Sequence, residues 1–401
     1  MKRSCLYIII LLQGLLLLPG CSRSLVEDNE PTPKPLARRT VIVYMVADNQ
    51  PYLPVQQDTT EMVAAKNLIP EDVNFVLYLD DRLHHPTIYE LSAKGGMKLC
   101  RQYADELSTT DSLVMLNALR DIQRYFPAQH YGLTLWSHAT GWAPERNSAR
   151  QKTFGKDQTP GSTTTQKMEM EIPVLRDVLA QMPKFDYIFF DACFMQGIEV
   201  AYELRNVTDW IVGSPAEIPG PGAPYQRLIQ ALCNGDAKGI AEGYAGGYPG
   251  KYNGYYYPGV LLSCIDCSKL ENLAKLTGQY IKPFYMERNE PLTEGFQSYC
   301  DITIGKFTYQ FDMRTTMCRL LTAEDYQTWM TAFDQAVPYR YFPEDRQWFA
   351  QHCRYGIIWD TECYGGVSMF VPMEKYDAYG WNDDFRHTSW YAAAGWAETG
   401  W

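Results

Sequence analysis

The sequence of 401 residues predicts an α/β protein built on an open, mostly parallel sheet with helices on both faces. Nearly continuous apolar runs of strand length, such as residues 40–47 and 185–190, indicate strands that are buried on both faces. Segments with an apolar position every three or four residues, such as 111–126, lie between these runs and indicate helices. Alternation of the two patterns is typical of parallel strands that are joined by helical crossovers.

The beginning of the chain is predicted to be a targeting segment rather than part of the fold. A Lys-Arg pair precedes an apolar run over residues 6–18, which is short for a membrane-spanning helix. The run ends in the tetrapeptide LPGC, which is typical of a bacterial lipoprotein processing site. We therefore predict a signal peptide over 1–20, acylation of Cys21 and a tether over 21–37 that holds the protein at the cell envelope, on the outer membrane or cell surface. An ordinary cleaved signal and an uncleaved anchor are the alternatives.

The main body of the protein is predicted over residues 38–240 and alternates strands with helices. The predicted strands lie within 38–49 and 131–142, where each runs into a polar end, and at 72–81, 86–93 and 185–190, and the predicted helices lie at 111–126 and 171–182. The first helix would begin at a cap formed by Thr110 or Asp111. Residues 143–170 are polar and have no apolar period, so we expect an exposed loop there.

Residues 241–401 are predicted to form a C-terminal α+β subdomain that packs on the sheet. The segment is rich in tyrosine and tryptophan and contains a strand that leads into a helix near Ser268. A second helix is predicted at 323–337 and a strand at 365–373. No internal repeat is evident.

Two predicted strands end in residues that can carry chemistry. The strand near 131–136 leads into His138, and the strand over 186–190 leads into Asp191 and Cys193. Working groups of such sheets collect at the carboxyl ends of the strands, so His138 and Cys193 would face each other if the strands are neighbours. A thiol becomes a strong nucleophile when an imidazole accepts its proton, and a histidine about 50 residues upstream of the cysteine is the order of caspase-like enzymes. Taken singly, a cysteine or histidine at such a position usually has a structural role, and it is their joint occurrence at two strand ends that favours chemistry.

The cysteine count favours a free thiol. Removing Cys5 and Cys21 from the eleven cysteines leaves nine, an odd number, so at least one is unpaired within an exported chain. Cys193 is the candidate. Cys264 and Cys267 have CxxC spacing without a second pair or a nearby histidine, which favours packing or a local disulfide over a zinc site.

The composition excludes some partners and predicts no metal. The formal charge of −11 and the absence of a basic run argue against nucleic acid. The residues themselves predict no cofactor, since no loop has EF-hand spacing.

Several segments of the chain resemble the clostripain family of cysteine peptidases, which share the caspase-like fold. They span about residues 40–373 and read TVIVYMVADN, YGLTLWSHATGW, FDYIFFDACFMQGIEVAYEL, IVGSPAEIPGPG and GVSMFVP. The resemblance implies that Cys193 is the nucleophile, that His138 acts as general base and then acid, and that the backbone N–H groups of Ala139 and Cys193 hold the oxyanion. It also implies cleavage after Arg, or less strongly Lys, with Asp191 and Glu217 in the substrate pocket. Some relatives use calcium, which the residues of this chain leave open.

Two departures from the family pattern concern this site. The family usually has glycine where this chain has Ala139, and alanine keeps the N–H donor if it can adopt the required backbone angles. The loop over 214–225 retains an acid as Glu217. Where family members tend to have a tryptophan after the last glycine, this chain has Ala223, so the aromatic wall of the substrate pocket is altered. Asp191 could alternatively cap the next helix or bind a backbone N–H, and the two roles can coexist.

The polar loop over 143–170 contains basic residues that such a peptidase would cleave in its own chain. They are Arg146, Arg150, Lys152, Lys156 and Lys167. Relatives are commonly matured by a cut of this kind, so we predict self-cleavage, the alternative being an ordinary surface loop.

These observations predict a lipid-anchored cysteine endopeptidase whose substrates are peptides or proteins with basic residues. The alternative from another class is a non-catalytic surface protein on the same scaffold. Its aromatic-rich C-terminal half would then recognise a glycan or a host protein.

Overall fold

The computed structural model describes residues 31–48, 52–105, 107–143, 154–157, 168–281, 296–299, 309–350 and 354–401. The predicted signal peptide, Cys21 and most of the tether lie outside the described residues, as do Arg146, Arg150, Lys152 and Lys167.

The described chain contains seventeen strands in five sheets. The strands are β1 (Ala37–Val46), β2 (Val73–Asp81), β3 (His84–Ser92), β4 (Gly96–Gln102), β5 (Ala128–Trp136), β6 (Phe154–Asp157), β7 (Met168–Met170), β8 (Phe185–Asp191), β9 (Thr208–Gly213), β10 (Gly250–Tyr252), β11 (Tyr255–Tyr257), β12 (Leu262–Asp266), β13 (Phe311–Asp312), β14 (Tyr339–Tyr341), β15 (Gln347–Ala350), β16 (Arg354–Ile357) and β17 (Ser368–Met369).

Helices connect most of these strands, and short 3₁₀ turns accompany them. The α-helices are α1 (Tyr52–Ala64), α2 (Ser112–Tyr125), α3 (Ile172–Leu179), α4 (Ile198–Leu204), α5 (Tyr225–Asn234), α6 (Ala237–Ala245), α7 (Leu270–Ile281), α8 (Met313–Leu320), α9 (Ala323–Ala336), α10 (Trp381–Arg386) and α11 (Ser389–Ala393). The 3₁₀ turns are Lys66–Leu68, Cys267–Lys269, Glu374–Tyr379 and Trp396–Glu398.

One large sheet organises the described residues, with the strand order β14-β12-β9-β8-β5-β1-β2-β3-β4. Its centre, from β9 to β2, is parallel, while β3 and β4 at one edge and β12 and β14 at the other are antiparallel. The predicted fold class, a mostly parallel sheet covered by helices, is confirmed.

Both faces of the sheet are buried because its central strands carry apolar side chains in both directions. Along β1, Ile42, Tyr44 and Val46 point into one core, which also contains the apolar sides of α2, α3, α4, α7 and α9. The alternate residues Val41 and Val43 point into a second core against α1, α5 and α6. The carboxyl ends of the parallel strands are thereby left as one edge between two helical layers.

The predicted elements of the first half are observed with small shifts at their ends. The predicted helix over 111–126 is α2, and its cap is Asp111, whose carboxylate accepts hydrogen bonds from the backbone N–H groups of Leu113 and Val114. The predicted strand over 185–190 is β8, all of whose residues but Asp186 are buried.

The predicted loop over 143–170 is not wholly irregular. It contains β6 and β7, which pair with each other through Phe154 and Met170, both buried in the first core. Lys156 therefore lies within a strand rather than in an open loop. Isolated apolar residues such as Phe154 produce no periodic pattern, so periodicity could not indicate these strands.

The C-terminal segment extends the sheet as well as packing on it. Strand β12 pairs with β9, and β14 pairs with β12, so the predicted boundary between 240 and 241 does not divide the sheet. The predicted strand over 365–373 is reduced to β17. Immediately after it, the N–H of Phe370 donates to the Glu199 carboxylate, 2.7 Å away.

The described cysteines form one disulfide, between Cys318 of α8 and Cys363, with Cα atoms 6.5 Å apart. Cys264 and Cys267 are separate buried thiols, so the local disulfide considered for them is not formed. Cys193 is a free thiol, as predicted. No helix among the described residues is long and apolar enough to cross a membrane.

Candidate active site

The ends of the neighbouring parallel strands β5 and β8 bring the predicted histidine and cysteine to the same edge of the sheet. Trp136 and Asp191, the last residues of the two strands, are register partners. His138 follows Trp136 by two residues, and Cys193 follows Asp191 by two residues. The two residues therefore leave the same edge of the sheet at the same level. His138 is exposed, and Cys193 is half-buried.

The turn that carries His138 is attached to the structure on both sides. The hydroxyl of Ser137 donates to the carbonyl of Val46 at the end of β1, 2.9 Å away. The carbonyl of His138 accepts a hydrogen bond from the N–H of Gly155 in β6, with a distance of 3.0 Å. Ala139 forms an isolated antiparallel bridge with Phe154. Strand β6 is thus a direct support of the histidine turn.

The turn that carries Cys193 is held by the loop after β9. The N–H of Phe194 donates to the carbonyl of Ala216, and the N–H of Gln196 donates to that of Ser214, both at 3.0 Å. The side-chain amide of Gln196 is buried and donates to the hydroxyl of Ser263 in β12 at 2.9 Å. Phe194 has a φ of +63°, a conformation that a phenylalanine adopts only when its surroundings impose it. These contacts fix the backbone beside the thiol.

The surroundings of Cys193 favour the protonated thiol. Burial raises the pKa of Cys193 to about 12, with further contributions from the carboxylates of Glu217 and Asp191, although the N–H of Ile218 donates to Sγ at 3.4 Å. Thiolate is the reactive form of cysteine, so attack requires a base that takes the proton as the new bond forms. The strand register makes the imidazole of His138 the candidate for this base.

Asp191, two residues before Cys193, is nearly enclosed, with 2% of its surface exposed. Its carboxylate accepts hydrogen bonds from the N–H of Ala223 at 3.2 Å, the hydroxyl of Tyr225 at 3.1 Å and the hydroxyl of Tyr244 at 3.3 Å. Burial nevertheless raises its pKa to about 6. The alternative expected from the sequence, that Asp191 binds a backbone N–H, is therefore realised here. Glu217, the second predicted pocket acid, is partly exposed and acts electrostatically on Cys193.

A second buried acid, Asp58 of α1, was not predicted. The indole N–H of Trp136 donates to its Oδ2 at 2.8 Å, and its Oδ1 has no hydrogen-bond partner within the described residues. Burial and the neighbouring Asp191 both raise the pKa of Asp58. The sequence did contain a signal, because Asp58 falls on the helix face that Val55 and Met62 mark as buried.

Among the described residues, no lysine or arginine pairs with Asp58 or Asp191, and no group of three His, Cys, Asp or Glu residues could hold a metal ion.

The order of this mostly parallel α/β sheet is that of the caspase-like fold, which solved C11 cysteine proteases share. A sequence model of the clostripain family matches residues 43–401, and the chain belongs to that family.

Solved structures of bacterial proteases are similar to this chain over most of its length. A secreted C11 cysteine protease from Bacteroides thetaiotaomicron in complex with an irreversible peptide inhibitor is 27% identical, with a TM-score of 0.77 over 90% of this chain and 99% of that chain. An inactive zymogen C11 protease from Parabacteroides distasonis is 25% identical, with a TM-score of 0.74 over 90% and 99%. A B. fragilis cysteine protease is 30% identical, with a TM-score of 0.53 over 61% and 98%. No protein with a curated description matches the sequence.

The family and the similar structures agree on a cysteine peptidase, so the predicted enzyme class is confirmed. The non-catalytic alternative is correspondingly disfavoured.

Proposed function

We propose that this peptidase is an endopeptidase that cleaves after arginine, and less readily after lysine, with Cys193 as nucleophile and His138 as general base. The observation that carries the proposal is the register of Trp136 with Asp191, which puts the two proposed catalytic residues two positions beyond the same point of the sheet. The raised pKa of Cys193 requires such a base.

The reaction would proceed by transfer of the acyl group to the thiol. Sγ of Cys193 attacks the scissile carbonyl while its proton passes to the imidazole of His138, and backbone N–H groups of Ala139 and Cys193 stabilise the oxyanion. The imidazolium then protonates the leaving amine as the carbon–nitrogen bond breaks. Water hydrolyses the thioester, with His138 again accepting a proton, and the free thiol returns.

The preference for a basic side chain is supported by the buried acids of the site. Asp191 and Asp58 are buried carboxyls, Glu61 lies one turn further along α1, and no described lysine or arginine neutralises the first two. A guanidinium or ammonium group that reaches them would form charge-assisted hydrogen bonds, which contribute about 1.5–3 kcal/mol each.

The proposal is tested with a peptide amide series that differs only in the residue before the scissile bond, namely Arg, Lys, Gln and Leu. Wild-type protein should cleave the arginyl peptide fastest, and an arginyl chloromethyl ketone should label Cys193, as read by peptide mass spectrometry. Cys193→Ala should abolish cleavage with little change in melting temperature, because the residue is only half-buried and alanine removes a single sulfur atom. Labelling elsewhere, or equal rates across the series, would overturn the nucleophile or the specificity respectively.

We also propose that Cys21 is acylated and anchors the protein to the cell envelope. The LPGC site and the acidic, proline-rich residues after it support this placement, and the B. thetaiotaomicron relative is described as secreted. In detergent phase separation, the wild-type protein from its host should enter the detergent phase. Cys21→Ala should remain in the aqueous phase, and an unchanged distribution would exclude the lipid anchor.

Self-cleavage between the catalytic residues is a further part of the proposal. The candidate sites are Arg146, Arg150, Lys152 and Lys167. Lys156 is a poorer site because it lies within β6, between the buried residues Gly155 and Asp157. Purified wild-type protein should convert from one chain to two on a denaturing gel, whereas Cys193→Ala should stay intact. Identical migration of the two would exclude self-processing and leave the peptidase proposal standing.

A further inference from the structure

A cavity of about 260 Å³ lies between the segments that follow the two catalytic residues. Trp142, four residues after His138, forms one wall, and Glu199, six residues after Cys193, forms another. The rest of the lining comes from the start of α3, from α4 and from the C-terminal segment around α10. The residues with polar side chains in that remainder are Glu171, Glu203, Asp384, His387 and Thr388. The cavity has room for a single elongated side chain or a ligand of similar size.

Glu199 is an unusual lining residue, because only 2% of its surface is exposed while one carboxylate oxygen is unused. Its Oε1 accepts a hydrogen bond from the N–H of Phe370 at 2.7 Å, and its Oε2 has no partner in the described part of the chain. Burial raises the pKa of Glu199 to about 7. A buried acceptor without a donor is unfavourable, so a bound donor would stabilise this arrangement.

The charged residues that line the cavity indicate whether the bound donor is a cation or an anion. Glu171 adds negative charge at the exposed rim, while the charge of Glu203 is neutralised by the guanidinium of Arg176, with which it forms an ion pair. His387 turns its Nδ1 toward the backbone carbonyl of Asp383, at 2.7 Å. The lining therefore carries an excess of carboxylates over cations.

The same lining favours an organic cation over a metal ion. The lining carboxylates come from three parts of the chain, namely α4, the residue before α3 and α10, and no group of three His, Cys, Asp or Glu residues in the described chain could hold a metal. Trp142 supplies an aromatic wall, and an indole attracts ammonium and guanidinium groups that lie over its face.

We infer that this cavity binds one alkylammonium or guanidinium group, with Oε2 of Glu199 as its principal acceptor and Trp142 as its aromatic wall. Lysine or arginine side chains of a polypeptide and free amines such as polyamines carry this chemistry. The site is separate from the Asp58 and Asp191 carboxyls and does not depend on the proposed cleavage specificity.

Calorimetric titration of full-length Cys193→Ala protein with agmatine tests the inference, since this background cannot turn over a peptide. Because agmatine can also bind near Asp191, each titration is repeated with Asp191→Asn and with Glu199→Gln in the same background. One binding event should survive Asp191→Asn and weaken at least about tenfold in Glu199→Gln, the effect of losing a charge-assisted hydrogen bond. Equal affinity in the Glu199→Gln and parent proteins would overturn the site.

A second measurement guards against a folding defect in Glu199→Gln. Binding of a cation favours the ionised carboxylate, so agmatine should release protons near pH 7, and the observed heat should depend on the ionisation enthalpy of the buffer. Glu171→Gln, at the exposed rim, should keep this proton release and weaken binding only slightly. Absence of proton release in the Asp191→Asn protein would count against Glu199 as the acceptor.

Competition of two further ligands with agmatine shows whether the bound cation is a free amine or a side chain of a polypeptide. Putrescine that competes with agmatine indicates a free amine, whereas competition only by a blocked lysyl peptide indicates a polypeptide side chain. Calcium that binds at this site while neither amine does would replace the inference with a metal site.

Discussion

The carboxyl groups of Asp58 and Asp191 meet across Gly222. An atom at the Cβ position of Gly222 would lie 3.3 Å from Oδ2 of Asp58 and 3.4 Å from Oδ2 of Asp191. Two carboxyls this close in a buried site disfavour the doubly ionised state, which agrees with the raised pKa values of both groups. A cation bound next to both carboxyls would stabilise their doubly ionised state.

The first prediction concerns the two acids separately. Asp191→Asn should lower kcat/KM for arginyl peptides by at least about tenfold more than for leucyl peptides, since a charge-assisted hydrogen bond is lost. Asp58→Asn should act in the same direction, because its carboxyl faces the same position at Gly222. Asp105→Asn, an exposed charge change, is the control and should alter neither rate. An equal decrease in kcat/KM for both substrates would show that Asp191 positions the backbone of the loop at Ala223 and does not recognise the charge of the substrate.

The second prediction concerns pH. Because burial raises the pKa of Asp191 to about 6, its ionised form dominates only above that value. The ratio of arginyl to leucyl kcat/KM should therefore increase as pH rises through about 6, while the ionisations of the shared catalytic groups cancel in the ratio. A ratio that is constant from pH 5 to 8 would contradict this. In Asp191→Asn the increase should be absent.

The third prediction concerns stability and the same carboxyl. A folded-state pKa above the unfolded value of about 3.9 means that folding favours the protonated acid. This contribution to the free energy of unfolding is fully present below about pH 4 and is lost as pH rises through about 6. The melting temperature of Asp191→Asn minus that of the wild type should therefore become more positive between pH 4 and pH 7. A difference that stays constant would show that the pKa of Asp191 is not raised by folding.

The fourth prediction uses two glycines of one loop. Gly222 has a φ of +73°, and a methyl group there would contact both carboxyls and the indole nitrogen of Trp136. Gly222→Ala should thus reduce arginyl cleavage and lower the free energy of unfolding by about 1–2 kcal/mol from the backbone conformation alone. The matched control is Gly220→Ala, where a methyl group would meet nothing within 4 Å. Similar behaviour of the two variants would show that Gly222 is not constrained.

The fifth prediction concerns the disulfide between Cys318 and Cys363, which closes a separation of 45 residues. Replacing both cysteines by serine should lower the free energy of unfolding by about 2–4 kcal/mol, measured by urea denaturation without reductant. Cleavage activity at 25 °C should be retained, since neither cysteine lies at the β5 and β8 strand ends. Loss of activity in a folded variant would give this bridge a role in the site.

The sequence predicted those features that depend on long apolar runs. Strands β1, β5 and β8 are continuous and apolar, so their burial, and from it the common edge that holds His138 and Cys193, could be inferred from the order of residues alone. Helix α2 has a clear apolar face and a capping aspartate, and its predicted bounds are correct within one residue at each end.

The features that the sequence did not predict depend on contacts between distant segments. Strands β6 and β14 are three or four residues long, and their pairing is decided by partners far away in the chain. Asp58 is linked to the site by Trp136, which is 78 positions away, and no local pattern encodes that contact. The C-terminal strand β12 was predicted, but its place in the central sheet follows from pairing with β9.

The pairing of β5 with β8 would determine how a molecule cleaved between His138 and Cys193 is assembled. His138 precedes the segment with the basic residues and Cys193 follows it, so one cut in that segment would divide the catalytic pair between two polypeptides. The pairing of β5 with β8 would then become an intermolecular interface, buried within one continuous sheet. Such a molecule would behave as a heterodimer of its own fragments. After denaturation its recovery would be a bimolecular reaction that depends on protein concentration, whereas the uncut chain would refold at a rate independent of concentration.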